Sequence, residues 1–165
     1  MIYAAVPVVI VLIDQLVKAW TARTLPLHVD VSFLPHFLGF YYTQNTGAAW
    51  SVFSQHTWIL TILSAGASVL LAVAVWKKFF RHPFGRMCLS LILAGAVGNL
   101  IDRALLGYVV DMFKFLFVTF PIFNVADMAI TVGGVLLVIY VLFFYNKLEK
   151  KPEPKEETHD PSSDG

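Results

Sequence analysis

The stretch Val109–Ile130, VVDMFKFLFVTFPIFNVADMAI, sets two carboxylates, Asp111 and Asp127, among aliphatic and aromatic residues. Acids in so apolar a setting are costly unless they are paired or used. Two carboxylates held a few Å apart cannot both ionise, so one keeps a proton. The ionised member then takes a proton from water while the protonated member polarises a carbonyl, which is amide hydrolysis without a metal or a nucleophilic side chain. A structural role competes at both ends of FNVAD. An acid at Asp127, in a first helical turn, is stabilised by the helix dipole, and Asn124 is a ready N-cap. Other chemistries lack their parts. His28, His36, His56 and His82 are scattered, and no HExxH spacing, GxSxG elbow or P-loop occurs. The single cysteine, Cys88, lies inside an apolar run and reads as a small core hydrophobe, leaving no disulfide framework or cysteine metal site.

The elements that must hold these acids are membrane spans. Hydrophobic residues make up 58 % of the chain and charged residues 14 %, against about 25 % charged in soluble domains; mean hydropathy is +0.70. Four apolar runs, about Ile2–Ala22, Trp58–Trp76, Met87–Leu106 and Val125–Tyr145, meet the roughly 17–25 residues a spanning helix needs. Trp58, Trp76 and Phe143-Phe144-Tyr145 stand where interfacial aromatic anchors belong. The first run has no basic residue before Lys18 and no small-x-small site after it, so it is expected to be a retained helix, not a cleaved leader. Lys77, Lys78, Arg81 and Arg86 crowd the second connection, and Lys147, Lys150, Lys151 and Lys155 follow the last run. The positive-inside rule therefore places that connection and both termini in the cytoplasm. Residues 149–165 are charged, Pro-rich and aperiodic, as a disordered tail would be, which leaves 1–148 as the membrane domain. The first outer connection alternates Leu27, Val29, Val31, Phe33 and turns at Leu34-Pro35, which predicts two or three short strands on the outer surface.

With about 1.5 Å of rise per residue, the polar groups of the spans share one depth. Asp14 and Lys18 fall toward the outer end of the first helix, Asn99, Asp102 and Arg103 in the last turns of the third, and Asn124 and Asp127 at the start of the fourth. The five acids before Glu149 (Asp14, Asp30, Asp102, Asp111 and Asp127) all map to the outer side. Asp14 and Lys18 have the i,i+4 spacing of an ion pair. Asp102 and Arg103 are assigned to scaffold or substrate positioning, and Asp30 to a solvated strand position.

Five short motifs in order on this frame resemble the bacterial lipoprotein signal peptidase (signal peptidase II) family. They are Asp14-Gln-Leu-Val-Lys18, Asn45-Thr-Gly47-Ala-Ala49, Gly98-Asn99-Leu-Ile-Asp102-Arg103, Gly107-Tyr-Val-Val-Asp111 and Phe123-Asn124-Val-Ala126-Asp127. The resemblance implies an all-α membrane protein of four transmembrane helices with a small extracytoplasmic β-rich cradle. It implies an aspartyl endopeptidase that cleaves diacylglyceryl-modified prolipoproteins before the lipidated cysteine, with Asp111 and Asp127 catalytic. It assigns substrate binding or support to Asn45, Gly47, Asn99, Asp102, Arg103, Asn124, Asp14 and Lys18. The expected setting is the bacterial inner membrane, with the active site at the periplasmic face, membrane lipids and lipid-modified precursors as partners, and a monomeric enzyme without cofactor, metal or nucleic acid. Trp50 and Met112 depart from the family's usual aromatic choices at those places, which bears on pocket shape and not on reaction class. A lid is expected in Gly39–Ser54 or Gly107–Pro121. Two rival readings, a proton-coupled transporter and a non-catalytic scaffold, predict respectively acids at several depths with broken midplane helices, and aspartates that serve only as caps and ion pairs.

Overall fold

The computed structural model describes residues 2–47 and 57–149. Trp50, part of the first expected lid, the Ala48-Ala49 end of one motif, and all of the expected tail beyond Glu149 lie outside the described residues. Among the described residues, four helical segments are long and apolar enough to cross a bilayer: α1 (Ile2–Thr24), α2 (Thr57–Trp76), α3 (Pro83–Leu106) and the segment Val125–Leu148, which opens with α4 (Val125–Ile139). Helix α4 is prolonged by a π-helical turn, Tyr140–Phe144, and a final turn, Tyr145–Leu148. Each of the four expected runs is found. The third begins earlier than hydropathy places it, because Pro83 opens the helix and the His82 side chain accepts from Phe84 N–H as its cap.

Helix α3 is the hub, packing against α1, α2 and α4. Small residues permit this. Gly95 meets the Ala126 carbonyl of α4 so closely that a Cβ would collide with it, and a Cβ on Gly98 would stand 2.7 Å from Asp14 Oδ2 of α1. Small faces of this kind let helices approach where lipid offers no hydrophobic drive. Pro7 breaks the ladder inside α1. Its missing N–H leaves the Tyr3 carbonyl without its helical donor, and the buried Ser90 hydroxyl of α3 lies 3.1 Å from that oxygen and 2.9 Å from the Arg86 carbonyl, which share its one proton. At the far end of the bundle, Glu149 accepts the backbone N–H groups of Arg81 (2.8 Å) and His82 (3.0 Å) and the hydroxyl of buried Tyr140 (2.5 Å). The carboxylate thus ties the end of α4 to the basic α2–α3 turn, opposite the end where Asn124 starts the helix.

The first and third connections fold together into one antiparallel sheet, β1 (Asp30–Leu34), β2 (Leu38–Asn45) and β3 (Val109–Phe115), in that order. The expected strands of the first connection are β1 and β2. The third strand comes from the other connection and carries Asp111, which stands opposite Thr43, with Asn45 opposite Val109. Its first four residues are all buried, so it shows none of the alternation by which a half-exposed strand is recognised. Asp30 is exposed as expected and pairs with Lys114 across the sheet at 2.6 Å. Both side chains are well solvated, Lys114 34 % and Asp30 63 % exposed, and such pairs contribute about 0–1 kcal/mol. Lys114→Ala should therefore leave thermal unfolding in detergent nearly unchanged, within about 1 kcal/mol.

Candidate active site

Four elements deliver the acids and amides to one place. Strand β3 carries Asp111, β2 ends at Asn45, α3 contributes Asn99, and the start of α4 contributes Asn124 and Asp127. The α4 N-terminus is a capping box. Asn124 Oδ1 accepts Asp127 N–H at 2.9 Å, and Asp127 Oδ2 accepts Asn124 N–H at 3.1 Å. The capping role read from the sequence is therefore real, and it leaves the Asn124 amide nitrogen free to work elsewhere. That nitrogen donates to Asp111 Oδ1 at 2.6 Å and to Asn99 Oδ1 at 3.1 Å. Asn99 Nδ2 donates to Asp127 Oδ1 at 2.7 Å, and Asn45 Nδ2 donates to Asp111 Oδ2 at 2.9 Å, while Asn45 Oδ1 accepts Gly47 N–H at 2.9 Å. Every carboxylate oxygen of Asp111 and Asp127 thus receives an N–H.

Behind this layer lies a buried ionic one. Lys18 Nζ is 2.8 Å from Asp14 Oδ2, 3.1 Å from Asp102 Oδ2 and 3.0 Å from Asn99 Oδ1. Asp14 Oδ1 accepts the N–H of Ala126 (2.8 Å) and Asp102 Oδ2 that of Val110 (3.0 Å), so each pins a segment bearing one of the two site acids. Gln15 Nε2 donates to Asp102 Oδ1 at 2.9 Å and lies 3.2 Å from both Asp14 Oδ2 and Gly98 O. Arg103 reaches the Gly47 carbonyl at 3.4 Å and the Ser64 hydroxyl of α2 at 3.5 Å, the long limit of hydrogen bonding.

Asp111 and Asp127 line one cavity of about 660 Å³ together with Asn45, Asn99 and Arg103. The rest of its lining is largely apolar, including Phe113 and Phe115 of β3, Phe120 and Phe123 of the following connection, and Met128 and Val132 along α4. That volume and lining suit a site for a largely apolar ligand with a few fixed polar contacts. Burial, and then the charge of Asp127, push the Asp111 carboxyl up to about 7, against the hydrogen bonds from Asn45 and Asn124 that favour its ionised form. Among the described residues, no three His, Cys, Asp or Glu side chains converge as a metal site would need.

A family model for signal peptidase (SPase) II matches residues 6–143. The chain belongs to the signal peptidase II family. It is similar to the lipoprotein signal peptidase of Lactococcus lactis subsp. lactis (strain IL1403), 42 % identical over 135 residues, covering 82 % of this chain and 89 % of the relative. It is also similar to that of Clostridioides difficile (strain 630), 40 % identical over 151 residues, covering 89 % and 99 %. A solved bacterial membrane enzyme structure superposes with a TM-score of 0.82 at 33 % identity, covering 93 % of this chain and 94 % of the other. A second of the same description gives 0.72 at 32 % identity, with coverage of 86 % and 93 %. The four spans and three-stranded cradle are accordingly those of a signal peptidase II, a bacterial membrane peptidase.

All ten residues singled out from the signal peptidase II motifs meet in this one network: Asp111, Asp127, Asn45, Gly47, Asn99, Asp102, Arg103, Asn124, Asp14 and Lys18. The five acids before Glu149 gather at one end of the bundle, whereas the transporter reading required acids at several depths of the spans. Gln15 belongs to the network too, although the motif reading gives it no role. An amide inside an apolar helix is itself an anomaly, and its place between Asp14 and Lys18 is the available signal. The main-chain donors Ala126 and Val110 carry no signal, since a backbone N–H is common to nearly every residue.

Proposed function

We propose that this chain removes signal peptides from diacylglyceryl-modified prolipoproteins by cleaving before the lipidated cysteine, with Asp111 and Asp127 as the catalytic dyad. The observation that carries the reading is their convergence from β3 and α4 on one cavity whose lining joins a few polar groups to many aromatic ones. The dyad shares one proton. The ionised carboxylate takes a proton from water as the oxygen attacks the scissile carbonyl, and the protonated one donates to the developing oxyanion. Collapse of the tetrahedral intermediate returns a proton to the leaving amine. The amide donors of Asn45, Asn99 and Asn124 hold both carboxyls in place without reorganisation, and the apolar wall takes the acyl chains of the substrate. Both acids come from one chain, so a monomer suffices. The basic α2–α3 turn at the opposite end of the bundle supports termini in the cytoplasm and a site at the outer face.

The test is cleavage of a diacylglyceryl-modified prolipoprotein by the purified full-length chain in detergent, beside the same precursor without lipid. Release of the signal peptide from the lipidated form alone is the expected result. No turnover by folded protein would remove the reading.

The raised Asp111 carboxyl gives a pH dependence with a definite sign. Its proton is retained by the native state up to about 7 but is lost by the unfolded chain near the ordinary value of 3.8. The stability it contributes is complete below the unfolded value and disappears as pH rises through about 7. The proton that the reaction needs leaves in the same range, so kcat/KM should fall on the alkaline side from about pH 7. Asn45→Leu removes a donor to the ionised form, and it should move that limb to higher pH. A limb that stays put or moves down in Asn45→Leu contradicts the assignment.

A further inference from the structure

The orientation of the active-site amides has a source outside the dyad. An asparagine amide presents oxygen on one side and NH₂ on the other, and which way it faces is decided by what its neighbours can offer. Two neighbours here can only donate. The Asp127 backbone N–H requires oxygen from Asn124, which turns the Asn124 NH₂ toward Asp111 and Asn99. The Lys18 ammonium requires oxygen from Asn99, which turns the Asn99 NH₂ toward Asp127. Without that ammonium, Asn99 retains only the Asn124 donor to hold its oxygen inward.

We propose that Lys18 is a positioning residue for catalysis: through Asn99 it fixes the hydrogen-bond direction at Asp127, over and above neutralising Asp14 and Asp102. The proposal rests on the aspartyl dyad reading. Lys18 is 3 % exposed and makes its polar contacts with Asp14, Asp102 and Asn99, not with the dyad, so its action passes through the Asn99 amide. The charged groups around the dyad are Lys18 and Asp14 from α1 and Asp102 and Arg103 from α3. Helix α2 and strand β2 carry no Asp, Glu, Lys, Arg or His, and Lys114 of β3 is engaged by Asp30.

Lys18→Met alone strands two buried carboxylates and is expected to be poorly folded. The informative variant is Asp14→Asn with Lys18→Met. It keeps the net charge of the Asp14–Lys18–Asp102 cluster at −1 (two acids and one base before, one acid after), and the new amide at position 14 keeps an oxygen for Ala126 N–H. Removing the two opposite charges together leaves the Asn99 orientation as the main change felt at the dyad. With thermal unfolding close to wild type, kcat should fall at least about tenfold with KM within about twofold, the size of effect expected when a catalytic group is slightly misoriented. Asp14→Asn with Lys18→Gln restores a donor facing Asn99 and should recover most of the turnover, a rescue that a merely structural lysine would not show. The proposal is overturned if the methionine double variant keeps wild-type kcat, if the glutamine double variant is no faster than the methionine one, or if the methionine variant fails to fold despite charge compensation, which would make Lys18 purely structural. Absence of cleavage by wild type would instead strike the dyad reading itself.

Discussion

Asp111→Asn and Asp127→Asn are each expected to lower kcat by about 10³-fold or more, while both variants remain folded. General acid–base groups contribute about 10²–10⁴-fold, and in the proposed mechanism each acid both handles a proton and orients water or carbonyl. The stability of the variants is what separates this outcome from a scaffold. At position 127 an amide oxygen still accepts Asn124 N–H, so the capping box survives. At position 111 an amide keeps only one of the two acceptors that now face Asn124 and Asn45, a loss on the order of 1 kcal/mol. Relief of the burial that raises this carboxyl offsets it. The double variant should be no slower than the slower single one, since members of one catalytic unit do not add. Initial rates on the lipidated precursor, paired with thermal unfolding, check this. Retention of more than about a tenth of wild-type turnover in either folded variant, far above the range for a lost acid–base group, means that the dyad is misassigned.

Gly95→Ala is the second large effect. The added methyl meets a backbone carbonyl, that of Ala126, together with the Ile130 side chain. A flexible side chain can swing aside; the carbonyl moves only if the first turn of α4 moves. Overpacking costs about 1–3 kcal/mol and occasionally more, and the upper end is expected here. The same displacement carries Asp127 away from Asn99, and a misplacement of about 1 Å can cost roughly 10²-fold in rate. Gly134→Ala is the control, for a methyl there has no neighbour within 4 Å. It should be neutral or slightly stabilising, by up to about 1 kcal/mol, because alanine is the better helix former. Thermal unfolding and turnover of the two variants side by side decide the matter. Equal behaviour would mean that α3 and α4 are not in backbone contact.

The aspartate pair and its amide partners were legible because they are out of place. An acid at position 14, 102 or 127 of a chain this apolar has few stable reasons to exist, and the i,i+4 spacing of Asp14 and Lys18 names its partner directly. Asn124 was harder. Its position before Val125 predicts a cap, and the cap is there, but the same side chain also serves Asp111 with its other end. Local sequence exposes the first duty because a cap is made three residues away. It hides the second, which runs to another strand.

Strand β3 and Gln15 mark the same boundary from the other side. The strand has both faces covered at its first four positions, and buried strands lose the alternation that identifies them. Gln15 bonds to Asp102, 87 positions away, through a helix rotation that no short window encodes.

Span length, the identity of the polar residues and their common depth are properties of short stretches of chain, set by hydrophobic transfer and helical rise, and the amino-acid order alone specified them. Which donor faces which carboxylate depends on how α1, α3 and α4 are rotated and how closely they approach. That is set by Gly95 and Gly98 against Ala126 and Asp14, contacts between residues far apart in the chain that exist only once the helices have packed.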